Sequence, residues 1–195
     1  MNTAFYSVCT SLYFVFSRIV HPFKVTGSEN MPLEGKAILC ANHQSLQDPM
    51  ALATLIKRKM HFMAKKELFK NKLFGKILSA LGAFPVARGQ NDLGAIRTAF
   101  RLLSEDKALG IFPEGTRFTD GEMHEAKNGV AMIALRTGAK VIPAYIIGSY
   151  KPFRKMRLVI GKEVDLTDLG GKCDAKNMQI ASERIRAAMI SLKEG

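Results

Sequence analysis

The feature that most constrains the fold is an alternation of short apolar runs with longer segments whose apolar residues recur every three or four positions. Short apolar runs bounded by turn residues are typical of buried strands, and the longer periodic segments are typical of helices packed on a sheet. Strands are predicted over 23–27, 36–41, 60–64, 83–87, 108–112, 141–147 and 157–160, and helices over 49–57, 68–81, 93–103, 130–136 and 175–193. This alternation predicts an α/β fold with a mixed central sheet flanked by helices.

Composition limits the class of protein. A chain of 195 residues with 47% hydrophobic content is long enough to bury one sizeable core. The net charge of +12 predicts an acidic partner, which is a nucleic acid, an anionic lipid surface or an acidic protein. Cys9, Cys40 and Cys173 are odd in number and far apart, which predicts reduced thiols. No spacing of cysteines and histidines resembles a metal site, so no metal is predicted.

The amino-terminal segment is unusually apolar and aromatic over residues 4–16, before Arg18 and the pair His21-Pro22. A bilayer span needs about 20 apolar residues, and this run is shorter and contains hydroxyl groups. It also lacks the basic start and the small-residue cleavage site of a signal peptide. Two interpretations remain, a helix in the membrane interface and a terminal helix packed on the core, and we favour the first. Residues 1–22 are therefore predicted to form a membrane-associating helix and residues 23–195 the remaining domain.

A histidine and an aspartate follow the apolar run 36–41. His43 is the side chain best suited to take a proton at neutral pH, and Asp48, five residues on, could select its tautomer and stabilise the imidazolium ion. Asp48-Pro49 is also typical of a helix N-cap followed by proline in the first turn. A carboxylate has enough lone pairs to serve both roles.

Cationic residues follow other predicted strands. Arg88 comes after the strand 83–87, and Arg117 follows the strand 108–112. A guanidinium group binds phosphate oxygens two at a time, so both arginines are candidates for holding a phosphate. Glu114 would repel a phosphate, and we interpret it as an orienting partner for an arginine or a substrate hydroxyl. Lys65 and Lys66 add charge either to the same cleft or to the exposed surface.

These candidates share one property, which is that each follows the carboxyl end of a predicted strand. Functional groups of α/β proteins gather in the crevice beyond strand ends. A serine hydrolase is not predicted, because no Gly-x-Ser-x-Gly segment is present and Ser45 lies only two residues from His43. Cys40 is predicted to be a buried strand residue and not a nucleophile.

The sequence resembles the glycerolipid acyltransferases of the 1-acyl-glycerol-3-phosphate acyltransferase type over residues 23–165. Four blocks occur in the family's order, namely Asn42-His43-x-Ser45-x-x-Asp48, Gly82 to Arg88, Phe112-Pro113-Glu114-Gly115-Thr116-Arg117 and Val141-Ile142-Pro143. The first block alone is weak, but together with the third at this separation it is specific. The resemblance implies that residues 23–195 form an acyltransferase domain.

The resemblance implies a one-step acyl transfer in which His43, oriented by Asp48, is the general base and no acyl-enzyme forms. It implies substrate binding by Lys65, Arg88, Glu114, Gly115, Thr116 and Arg117, and an oxyanion stabilised by backbone amides of the first block. No metal or other cofactor takes part in this scheme.

The implied acceptor is 1-acyl-sn-glycerol-3-phosphate, and the donor is a thioester of acyl carrier protein or coenzyme A. The implied location is the cytoplasmic face of the cell membrane, peripheral or monotopic, without nucleic acid as a partner. Glycerol-3-phosphate or another lysophospholipid as acceptor is an open alternative. A non-catalytic basic module that binds membrane or nucleic acid is a more remote one.

Overall fold

Seven strands form one sheet in the computed structural model, which describes residues 3–87, 92–120 and 122–194. The strands are β1 (Phe23–Thr26), β2 (Ala37–Ala41), β3 (Met60–Lys65), β4 (Ala83–Val86), β5 (Ala108–Ile111), β6 (Lys140–Ile147) and β7 (Met156–Ile160). Their order is β1-β7-β6-β2-β5-β3-β4, and β6 and β7 are antiparallel while the other neighbours are parallel. The prediction of a mixed sheet is confirmed.

Helices cover both faces of this sheet. They are α1 (Thr3–Val20), α2 (Asp48–Leu55), α3 (Lys72–Ala80), α4 (Leu93–Ser104), α5 (Gly129–Thr137) and α6 (Ala175–Glu194). One apolar cluster joins α1 and α2 to the first face, through residues such as Tyr6 and Leu52. A second cluster joins α4, α5 and α6 to the opposite face, through residues such as Leu103, Ile133 and Ile185. This is the predicted α/β architecture.

The central strand β2 places the first sequence block. All five residues of β2 are buried between the parallel neighbours β5 and β6, as expected for an uninterrupted apolar strand. The strands β2, β5, β3 and β4 are consecutive and parallel, so their carboxyl ends lie at one edge of the sheet. The loops that follow β2 and β5, together with Lys65 at the end of β3, therefore share that edge, as the sequence predicts.

One helix begins later than the sequence predicts. Residues Lys66–Phe69 form a 3-10 turn, and α3 begins only at Lys72. The Asn71 side chain accepts hydrogen bonds from the backbone amides of Leu73 and Phe74 at 3.0 and 3.1 Å. Because such a cap satisfies the first free N–H groups of a helix, Asn71 sets the start that apolar spacing alone did not locate.

Helix α1 packs on the domain along a narrow strip. Its Tyr6 hydroxyl donates to the Ala53 carbonyl at 3.3 Å and accepts from the Met60 amide at 3.2 Å. Most of its large apolar residues are exposed, including Leu12 and Ile19. Among the described residues it is the one helix long and apolar enough, by length and composition, to cross a membrane. The assignment of residues 1–22 to a membrane-associating segment remains a prediction.

Candidate active site

The loop after β2 is fixed by an amide side chain. The Asn42 side-chain oxygen accepts from the Ile146 amide at 2.7 Å, and its side-chain nitrogen donates to the Ile146 carbonyl at 3.1 Å. These two bonds continue the pairing of β2 with β6 beyond the end of the strand. They determine the position from which His43 enters the cleft.

His43 and Asp48 form a buried hydrogen-bonded pair. The His43 Nδ1 atom lies 2.8 Å from Asp48 Oδ2, and the two residues are 6% and 0% exposed. Since an ionised carboxylate only accepts, Nδ1 carries the proton and Nε2 keeps a free lone pair. This is the tautomer that a general base acting through Nε2 requires.

Asp48 does not cap its helix, which corrects one expectation. Its Oδ2 atom instead accepts from the upstream amides of Gln44 and Ser45, both at 2.7 Å. Helix α2 begins at Asp48, with Gln47 in the N-cap position and no side-chain cap bond. The carboxylate is turned back toward the histidine loop because three donors, two of them backbone amides, converge on one oxygen.

The same contacts narrow the predicted oxyanion site. The amides of Gln44 and Ser45 are bonded to Asp48, and the amide of His43 donates to Glu114 Oε2 at 2.9 Å. These three backbone amides are therefore committed to structure, and they are not free to bind an oxyanion.

The loop after β5 holds the imidazole from the other side. The His43 ring stacks on Phe112 with centroids 4.0 Å apart and an angle of 18° between the planes. The Phe118 amide donates to the His43 carbonyl at 2.8 Å. Stacking and hydrogen bonding together leave the ring little freedom to rotate.

Glu114 has a structural role that the sequence did not predict. It is buried, and its two oxygens accept from the backbone amides of His43 at 2.9 Å and His124 at 3.0 Å. Both oxygens face backbone amides, and no arginine is a partner of Glu114 among the described residues, so its role toward a substrate hydroxyl stays a prediction. Glu114 joins the histidine loop to the loop that precedes α5.

Two of the predicted cations, Lys65 and Arg117, lie at or after the carboxyl ends of strands that meet at this edge of the sheet. Lys65, at the end of β3, is half exposed and lies 3.8 Å from Glu67. Thr116 and Arg117 are exposed, and Arg117 forms no hydrogen bond or ion pair within the described part of the chain. Arg88 lies outside the described residues. The structure thus leaves Lys65 and Arg117 available to a ligand.

Lys127 is a cation that sequence reasoning missed. Its side chain lies over Gly115, where a Cβ atom would come within 3.0 Å of Lys127 Nζ, and Gly115 has a φ of +69°. Both the tight contact and the left-handed backbone favour glycine at this position. The sequence offered one signal for a role in this site, which is that Lys127 follows the third block by ten residues.

A largely apolar cavity opens beside His43. Its volume is about 740 Å³, and Gly115 and Lys127 line it together with the histidine. The rest of the wall is mostly aliphatic and comes from β3, β4, β5, α4 and α5, including Met63, Val86, Ile96, Ile111, Met132 and Ile133. A largely apolar cavity lined also by a base and a cation suits a ligand with a long hydrocarbon part and a polar group.

Tyr150 is a second residue that the sequence did not single out. Its hydroxyl and the Asp48 Oδ1 atom are both buried, and neither has a hydrogen-bond partner among the described residues. Burial raises the pKa of Tyr150, and the charge of the Asp48 carboxylate beside it raises that pKa further. Because a buried carboxylate oxygen needs a donor, we expect the Tyr150 hydroxyl to donate to Asp48 Oδ1.

Replacing Tyr150 by phenylalanine is expected to lower kcat about fivefold to thirtyfold, because the buried Asp48 carboxylate loses the hydroxyl group beside it. The effect should disappear in an Asp48→Asn background, which a double-mutant cycle measures. Tyr6→Phe is the matched control, since it removes another buried tyrosine hydroxyl but should lower only the free energy of unfolding. An undiminished loss in the Asp48→Asn background would contradict the contact.

Cys40 is not suited to act as a nucleophile. Cys40 is fully buried in β2, as predicted, and burial raises the pKa of its thiol. All three cysteines are free thiols.

Comparison with known proteins agrees with these observations. A family model described as Acyltransferase matches residues 22–147. The 1-acyl-sn-glycerol-3-phosphate acyltransferase of Bacillus subtilis (strain 168) is 32% identical over 194 residues, which is 96% of each chain. The protein of the same name from Streptococcus pneumoniae (strain ATCC BAA-255 / R6) is 30% identical over 80% of this chain and 60% of its own length.

A solved structure has the same fold. The crystal structure of the 1-acyl-sn-glycerophosphate (LPA) acyltransferase PlsC from Thermotoga maritima superimposes with a TM-score of 0.74 at 28% identity, covering 96% of this chain and 79% of that one. The family that the sequence blocks indicate is thereby confirmed. The chain belongs to the 1-acyl-sn-glycerol-3-phosphate acyltransferase family.

Proposed function

We propose that the protein transfers a fatty acyl group from a thioester to the sn-2 hydroxyl of 1-acyl-sn-glycerol-3-phosphate, giving phosphatidic acid. The observation that carries this proposal is the buried His43–Asp48 pair, 2.8 Å apart, whose histidine lines a largely apolar cavity. The names of the relatives support the same acceptor.

The acyl group passes directly from the thioester to the acceptor, with His43 as the base. The Nε2 atom takes the proton of the acceptor hydroxyl while that oxygen attacks the thioester carbonyl. The tetrahedral intermediate then expels the thiolate, which takes from the imidazolium ion the proton that came from the acceptor hydroxyl. Asp48 stabilises the imidazolium while it exists, and no covalent acyl-enzyme is required.

Cations at the cleft hold the acceptor. Arg117 and Lys65 lie exposed at the strand ends, and Lys127 lines the cavity beside His43. A phosphate bound between them would bring the neighbouring glycerol hydroxyl to the imidazole, which converts an encounter into an oriented reaction. The apolar wall is suited to the acyl chain of a substrate.

A membrane surface supplies this acceptor. The exposed apolar side of α1 and the net charge of +12 both favour contact with an anionic bilayer. The donor is a thioester of acyl carrier protein or coenzyme A, both of which are acidic. We place the protein at the cytoplasmic face of the cell membrane, where such donors occur.

A matrix of donors and acceptors tests the proposal. Purified protein on vesicles receives acyl carrier protein or coenzyme A thioesters, with 1-acyl-sn-glycerol-3-phosphate, glycerol-3-phosphate or a neutral lysophospholipid as acceptor. We expect product only, or at least tenfold faster, with 1-acyl-sn-glycerol-3-phosphate. Faster transfer to another acceptor would contradict the assigned substrate, and salt-sensitive DNA binding without transfer would contradict the assigned activity.

Arg117→Ala is expected to raise the KM for the phosphorylated acceptor about tenfold and to change kcat much less, because the group binds phosphate in ground and transition states alike. Arg117→Lys should restore part of the loss. Arg101→Ala is a matched control, since it removes an exposed arginine from α4 that pairs with Glu105. Unchanged saturation by the acceptor would show that Arg117 does not bind phosphate.

A further inference from the structure

We propose that α3 is a second membrane-contacting element, whose outward face lies among the headgroups and upper acyl chains of an anionic bilayer. This inference deepens the proposed function, since it concerns how the enzyme reaches a lipid acceptor. It rests on three properties of the segment from Lys65 to Ala80, which are its apolar face, its charge and its place in the fold.

Helix α3 carries its apolar residues on the outside. Leu73, Phe74 and Ile77 are 71%, 46% and 37% exposed, although they lie together on one side of the helix. The residue that α3 buries is Gly75, whose backbone packs on Phe69. A helix in contact with water normally turns such an apolar stripe toward the core. Here the stripe is exposed, so this face of α3 lacks a partner in the described chain.

The apolar face is surrounded by positive charge. Lys65, Lys66, Lys70, Lys72 and Lys76 are all exposed, and Glu67 is the one acidic residue in the same stretch. Lysines beside protruding leucine and phenylalanine side chains are the pattern of helices that lie in the membrane interface. Each lysine near an anionic surface strengthens binding by about fivefold.

The position of α3 favours a bilayer as the occupant. The connections β2-α2-β3 and β3-α3-β4 cross the sheet in the same direction, so right-handed crossovers place α2 and α3 on one face. Helix α1, with its own exposed apolar side, packs on α2 and thus on that same face. A flat surface that touches α1 can therefore extend to α3.

The cleft borders this surface. Lys65 ends β3 at the edge that carries His43, and the turn that leads to α3 begins at the next residue. Docking through α3 would hold the rim of the cleft at headgroup height, where the phosphate of a lipid acceptor lies. An acidic carrier protein is the competing occupant, and it enters the experiment as an outcome.

A single tryptophan can report the contact directly, because the chain contains none. The variant Phe74→Trp places the probe on α3, and Ala187→Trp places a control at an exposed position of α6, on the opposite face. With vesicles of phosphatidylglycerol and phosphatidylcholine we expect a blue shift of emission and quenching by brominated lipids for Phe74→Trp alone. Unchanged emission from vesicle-bound Phe74→Trp would overturn the proposal, as would a shift caused only by acyl carrier protein.

Charge reversal separates docking from chemistry. The variant Lys70→Glu, Lys72→Glu, Lys76→Glu should lower transfer to acceptor in anionic vesicles more than tenfold, with less loss at high salt. Transfer to a dispersed short-chain acceptor should stay as in the unmodified protein. Equal rates of transfer on anionic vesicles by the triple variant and the unmodified protein would overturn the docking role. Absence of transfer by the unmodified protein would instead refute the proposed function, while the tryptophan measurement would still decide the contact.

Discussion

His43→Ala is expected to lower kcat by about 10²–10⁴-fold with both acyl donors, because the variant has no group to take the proton of the acceptor hydroxyl. The ring is stacked on Phe112 and buried, so some loss of stability will accompany the change. Steady-state rates on vesicles, together with thermal unfolding of the same sample, measure the two effects separately.

His61→Ala is the matched control for this variant. His61 is also a buried imidazole, but it lies at the opposite, amino-terminal end of β3, where its Nδ1 atom is 3.3 Å from the Ala108 carbonyl. The His61→Ala substitution should lower the free energy of unfolding by a similar amount and leave kcat close to that of the unmodified protein. Near-normal turnover by a folded His43→Ala protein would refute the general-base mechanism.

Asp48→Asn is expected to lower kcat by about 10²–10⁴-fold while the fold is retained. Asparagine has nearly the same shape, and its oxygen can still accept from the amides of Gln44 and Ser45. It lacks the negative charge that stabilises the His43 imidazolium and that makes Nδ1 the protonated nitrogen. The loss should therefore fall on turnover more than on acceptor binding.

Asp174→Asn provides the control for this charge removal. Asp174 accepts from the Asn177 amide at 2.8 Å near the start of α6, and no histidine is its partner in the described part of the chain. Asparagine is an equally good capping residue, so stability and kcat should both remain within experimental error. If Asp48→Asn were as active as Asp174→Asn, the carboxylate would have only a structural role.

The elements of this fold were largely predictable because their signals are local. The fully apolar run of β2 indicated a buried parallel strand, and the spacing in α4 indicated an amphipathic helix. The start of α3 was missed because apolar spacing extends through Lys66–Phe69, while the capping bonds of Asn71 decide where the helix begins.

The candidate site was predictable where its residues are close in the chain. His43 and Asp48 are five residues apart, so one loop and one helix turn suffice to bring them together. Glu114 was assigned to an orienting role, since the sequence does not show that the amides of His43 and His124 converge on it. That convergence depends on the pairing of β2 with β5.

The sequence alone determined that apolar runs alternate with amphipathic segments, and that a base, a carboxylate and several cations follow strand ends. Only the tertiary structure decided that Lys127 lies over Gly115, that Tyr150 lies behind Asp48, and that α3 presents apolar side chains outward. The physical reason is that periodicity records the local backbone conformation and average burial of each segment. Contacts between residues far apart in the chain depend on strand order, crossover direction and loop path, which no local pattern specifies.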